Sequence, residues 1–158
     1  MTFAKRIVLG IFVVFLIAVV FLGIFPPSTP RILVNQRRAI LSIQNASLAE
    51  HKYAATHPET GYTCNLNDLS EQDSQVSLVD RVLASGTKSG YHFEIQCPQR
   101  EGQSQKVARY AIIATPVNAG ATGKYAVCTD QSGQIWYSEN GSAADCLETR
   151  KPIEQKYK

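Results

Sequence analysis

Four cysteines carry the clearest chemistry in this 158-residue chain: Cys64, Cys97, Cys128 and Cys146. Cysteine thiolates hold zinc when they come in close pairs such as C-x-x-C, and none of these does. The set therefore reads as disulfides, with free buried thiols as the alternative. Four cysteines allow three pairings, and residue chemistry leaves all three open. His51 and His57 flank the end of a helical stretch, with Glu50 and Glu59 nearby. Their separation does not bring both imidazoles to one helix face, so a shared metal or proton-transfer site is not expected. Asp130, Ser132 and Asp145 offer oxygen ligands, but without the spacing of a calcium-binding loop. No G-x-S-x-G, Walker A or G-x-G-x-x-G sequence occurs. The reading is of a chain that is not an enzyme, with no cofactor, no metal and no evident small-molecule substrate.

Charge excludes another class. The net charge is +3, the charged residues are scattered, and no basic block with interleaved aromatics occurs. Nucleic acid is not an expected partner.

The elements that must position the cysteines begin with Ile7 to Phe25, which contains no charged residue. As a helix it would be roughly 28 Å long, close to the thickness of a bilayer's hydrocarbon core. The stretch is too long for the apolar region of a signal peptide, and no small-x-small cleavage site follows it. It predicts an uncleaved transmembrane anchor and makes the lipid bilayer the first partner. Residues 1–25 are then a short cytoplasmic lead and the anchor. Residues 26–30 are a linker rich in proline, residues 31–147 a single domain, and residues 148–158 a charged, flexible tail. All four cysteines lie beyond the anchor, and an even count suits an oxidising compartment, so the domain is placed outside the cytoplasm.

Pro30 at a first helical position opens a second helix that runs to about Thr56, where Pro58 stops it. Its apolar residues fall on two faces. Ile32, Leu33, Ala39, Ile40, Ile43 and Ala54 share one side. Val34, Leu41, Leu48 and Ala55, spaced by seven, lie nearly opposite and form a candidate interaction face. A loop rich in Asn, Asp and Ser follows Gly61, with a short helix over Leu78 to Ala84. Alternation then predicts strands over Tyr91 to Cys97, Val107 to Thr115, Lys124 to Thr129 and Gln134 to Ser138. The fold class is α+β: a transmembrane helix, then a long amphipathic helix packed on an antiparallel sheet of three to four strands.

This plan, together with VLASGTKSGYHF (Val82 to Phe93) and ATPVNAGATGKYAVCTDQSGQIWY (Ala114 to Tyr137), resembles the globular domains of type IV pilins and type II secretion pseudopilins. The likeness spans about Arg31 to Cys146. The start of the chain departs from the family pattern. It has no Gly-Phe pair ahead of the apolar stretch and no glutamate before Glu50.

The resemblance implies a pilin-like domain in which the long helix lies along the sheet. The loop leaving that helix then brings Cys64 to the end of the first strand, at Cys97. The turn at Asn140-Gly141 returns Cys146 towards Cys128, as near the C-terminus of many pilins. The pairs expected on this plan are Cys64–Cys97 and Cys128–Cys146. The resemblance further implies a single-pass protein of the bacterial inner membrane with its domain in the periplasm. It would be a structural or scaffold component of a pilus or secretion-type assembly, meeting other pilin-like or secretion-system subunits. The alternative is a monomeric, membrane-tethered binding or sensor ectodomain.

Overall fold

The computed structural model describes residues 30–70, 79–98 and 106–156. The anchor expected over Ile7 to Phe25 lies outside them, and among the described residues no helix is long and apolar enough to cross a membrane.

Helix α1, Arg31–Thr56, is the longest element among the described residues. Its side towards the sheet carries small and branched residues: Ala39, Ile43 and Ala46 are fully buried, and Ala49 nearly so. Small side chains at spacings of three and four let the helix lie close on a flat surface. His57 ends it, returning its backbone N–H to the Tyr53 carbonyl at 2.9 Å, just before Pro58. A 3-10 helix at Leu66–Leu69 and a single turn, α2, at Arg81–Ala84 follow. Asp80 caps α2, its carboxylate accepting from the Leu83 N–H at 2.9 Å.

The sheet runs in chain order: β1 (Thr87–Lys88), β2 (Tyr91–Gln96), β3 (Ala111–Pro116), β4 (Ala126–Asp130), β5 (Ile135–Ser138) and β6 (Lys151–Pro152). Every neighbouring pair is antiparallel. Among the described residues the sheet thus has six strands, and the expected count of three to four is corrected. Both added strands are two-residue edges, too short to show the alternation that marks a strand in sequence. The second edge falls in the stretch read as a flexible tail. It pairs Trp136 with Pro152 and Tyr137 with Lys151. A short helix, α3 (Ala143–Thr149), precedes that edge, and a 3-10 helix at Ile153–Lys156 follows it.

The sheet is covered on both faces. Ile112, Ala114, Val127 and Ile135 pack in one core with α1, Leu66, Leu69, Val79, Tyr91 and Phe93. Ile113, Ala126, Cys128 and Trp136 point the other way and form a second, smaller core with Cys146, Ala143 and Leu147 of α3. The two sets alternate along each strand, as the pleat requires. All residues of β4 and β5 are buried because both of their faces are covered.

Local chemistry builds the second face. Gly133 takes a positive φ of 72° to close the turn between β4 and β5, where Asp130 accepts the Ser132 N–H at 2.8 Å. Ser142 then caps α3 by accepting the Asp145 N–H at 3.3 Å. Arg150 ends α3 in the left-handed region, φ 49°, and its guanidinium lies 4.8 Å from the Trp136 ring centre.

Candidate interaction surface

The outward face of α1 is the most distinctive surface. Leu41 and Leu48 stand 58% and 57% exposed, seven residues apart, although Ser42, Ile43, Ala46 and Ser47 between them are buried. Ala55 continues the line exposed and Val34 half-buried. From Val34 to Ala55 the line extends roughly 31 Å along the helix. Arg37, Arg38, Gln44, Asn45 and Lys52 are also exposed, giving this side of α1 an apolar line with basic and amide neighbours. A single exposed leucine is ordinary on a protein surface. Two at one heptad position of a helix whose other side is saturated make a surface with a direction. Burying the exposed part of each leucine stabilises a contact by roughly 1 to 2 kcal/mol. The two together fall short of the cost of associating two free proteins, about 4 kcal/mol or more. Such a line holds a partner only where many contacts repeat or where a tether raises the local concentration.

The cysteines are joined in two local disulfides. Cys64 pairs with Cys97, with Cα atoms 5.8 Å apart, and Cys128 with Cys146, at 6.2 Å. Both separations lie in the usual range for a bridge. Cys64 is exposed at the end of the loop that leaves α1, whereas Cys128 of β4 and Cys146 of α3 are fully buried between the sheet and α3.

The histidines do not converge on a common centre. His51 packs edge-on against Tyr62 and Tyr110, at ring-centre distances of 5.7 and 6.3 Å. His57 stacks on Tyr53 at 4.1 Å. Asp130 is nearly buried in the wall of an open cleft of about 590 Å³, with Arg109, Tyr110 and Arg150 around it. Its carboxylate is engaged by the Ser132 N–H and, at 3.5 Å, by Arg150. Asp145 sits instead in the first turn of α3. Among the described residues, no three His, Cys, Asp or Glu side chains gather as metal ligands.

The sequence reading weighed Glu50 only as a neighbour of His51 and His57 and missed its burial. Glu50 is completely buried, and its carboxyl is pushed up to about 7, first by burial and then by the nearby charge of Asp68, against the Thr63 N–H that it accepts. The signal was present in the spacing. Position 50 lies seven residues beyond Ile43, which places it on the sheet-facing side of α1.

Compared with protein families, with characterised proteins and with solved structures, the chain finds no match.

Proposed function

We propose that this chain is a non-catalytic structural subunit of a pilus or secretion-type assembly. It is held at the bacterial inner membrane by the apolar segment Ile7 to Phe25, with its disulfide-bonded domain outside the cytoplasm. Its packing surface is the outward line Val34, Leu41, Leu48 and Ala55, and its neighbours are copies of this chain. The observation that carries the reading is the exposure of Leu41 and Leu48 on a helix whose opposite side packs into the domain's own core. The weakness of a two-leucine contact fits the same picture, because subunits confined to a membrane need little pairwise affinity to assemble. The phrases from Val82 to Phe93 and Ala114 to Tyr137 support the pilin-like reading, and the two disulfides support an oxidising compartment.

The test is self-association in membranes. Chemical crosslinking of the wild-type chain is expected to give a ladder of homo-oligomers, lost in the double variant Leu41→Asp/Leu48→Asp while its thermal stability is retained. A ladder unchanged by the double variant contradicts the assignment of the surface. A wild-type chain that stays monomeric in the membrane contradicts the assembly reading and favours a solitary binding ectodomain.

A further inference from the structure

The exposed side of α1 carries charge of one sign. Arg31, Arg37, Arg38 and Lys52 are exposed, and the first turn holds no acidic residue. The one carboxylate of α1, Glu50, is buried on the other side. Among the described residues the two ion pairs are Lys88–Asp80 and Arg150–Asp130, so none of the three guanidiniums of α1 is paired.

The arginines also have a place on the apolar line. Arg37 and Arg38 stand three and four residues from both Val34 and Leu41, so they flank the line on either side between those two residues. The intervening polar residues turn to the domain instead. Asn35 donates its side-chain amide to the Thr122 carbonyl at 2.9 Å, and Gln36 is buried. Apolar side chains between unpaired cations are the pattern of a helix that meets an anionic surface.

Two arguments choose the anion. Copies of the chain held in one membrane bring Arg37 and Arg38 to the same level. Packing through Val34 and Leu41 then sets like charges beside each other, and a counter-charge has to come from outside α1. The covalent path to the bilayer is also short. The apolar segment ends at Phe25, and the five residues to Arg31 span at most about 21 Å. Phosphate groups of lipids are therefore the anions that the tether keeps concentrated around this end of α1.

We propose that Arg31, Arg37 and Arg38 form a site for the headgroups of anionic phospholipids, which neutralise the guanidiniums where copies pack along Val34 and Leu41. The site rests on the membrane-anchored reading given above. Lys52 lies roughly 21 Å further along the helix and is outside it.

The experiment places the full-length, oxidised chain in vesicles of phosphatidylcholine and phosphatidylglycerol. One lipid or the other carries a photoreactive group beside its phosphate, and captured lipid is mapped by peptide mass spectrometry. Phosphatidylglycerol is expected to be captured on residues 31–41 in preference to phosphatidylcholine. Arg37→Gln/Arg38→Gln should lower that preference roughly thirty-fold, a factor of about five for each guanidinium near the surface. Lys52→Gln should leave it unchanged, and Lys5 and Arg6, present in every variant, cannot account for capture on α1. Equal capture of the two lipids overturns the site and leaves an acidic protein as the partner of these guanidiniums. A preference unchanged in Arg37→Gln/Arg38→Gln overturns it too. So does displacement of the lipid by inorganic phosphate beyond that caused by chloride at equal ionic strength, which would make free phosphate the ligand. Homo-oligomers without lipid preference contradict the headgroup site alone. Lipid preference without homo-oligomers bears the site out and contradicts the assembly reading alone. Capture of neither lipid contradicts the anchor and the site together.

Discussion

The two faces of the sheet are closed by different means. Under α1 lies a broad core of helix, loop and strand residues, with its disulfide at the rim and Cys64 exposed. Under α3 lies a small core whose centre is a buried disulfide and one tryptophan. A helix of seven residues, Ala143–Thr149, has little apolar area with which to hold itself in place. A covalent bond to β4 and caps at both ends replace the area it lacks. The α1 face has area to spare, and α1 carries its surplus outward as Leu41 and Leu48.

The most damaging way to break this contrast is to remove the buried bridge. In the loop-entropy model the two disulfides differ little: about 3 kcal/mol for Cys128–Cys146 and about 0.5 kcal/mol more for the longer Cys64–Cys97 loop. Packing therefore decides. Cys128→Ala/Cys146→Ala also empties space in a core with few other residues, adding roughly 2 kcal/mol. Denaturant unfolding should show a loss of about 5 kcal/mol, with the Trp136 fluorescence environment changing first. Cys64→Ala/Cys97→Ala should cost about 3 to 4 kcal/mol in the same assay, because exposed Cys64 leaves no cavity. If the exposed pair proves the costlier, loop entropy alone governs and the packing argument fails.

Ile43→Ala strikes the broad core at a fully buried position of α1 and should cost about 3 kcal/mol. The smallest change in stability is expected for Leu41→Asp and Leu48→Asp, within about 0.5 kcal/mol each, since neither side chain belongs to the domain's own packing. A loss comparable to that of Ile43→Ala would mean that the outward face is part of the fold.

What could be read from the sequence follows the length of each signal. The long helix was legible because Pro30 and Pro58 punctuate it and because its apolar residues separate into two sides; its observed span is Arg31–Thr56. The strand expected over Val107 to Thr115 begins later, at Ala111, because the residues before it serve other partners. Val107 bridges to Gly61, and Tyr110 reaches Ser47 on α1. The two-residue edges Thr87–Lys88 and Lys151–Pro152 exist only through their partners, and no local pattern announces them. Helix α3 did leave a mark, since Ser142 precedes Asp145 at capping distance, but the Asn140-Gly141 turn was the stronger feature there. For the interaction surface, sevenfold spacing sufficed to separate Leu41 and Leu48 from Ile43. Glu50 was weighed only beside His51 and His57, and its burial went unread, since a charged residue is rarely fully buried.

Site-specific photo-crosslinking in membranes tests the open α1 face most directly. The crosslinker is placed in turn at Leu48 and at Val82, which is 56% exposed and equally apolar but lies on α2. If α1 presents the packing surface, the Leu48 probe captures a second copy of the chain and the Val82 probe does not. Equal capture from both positions, or capture from Val82 alone, would contradict a directed surface on α1.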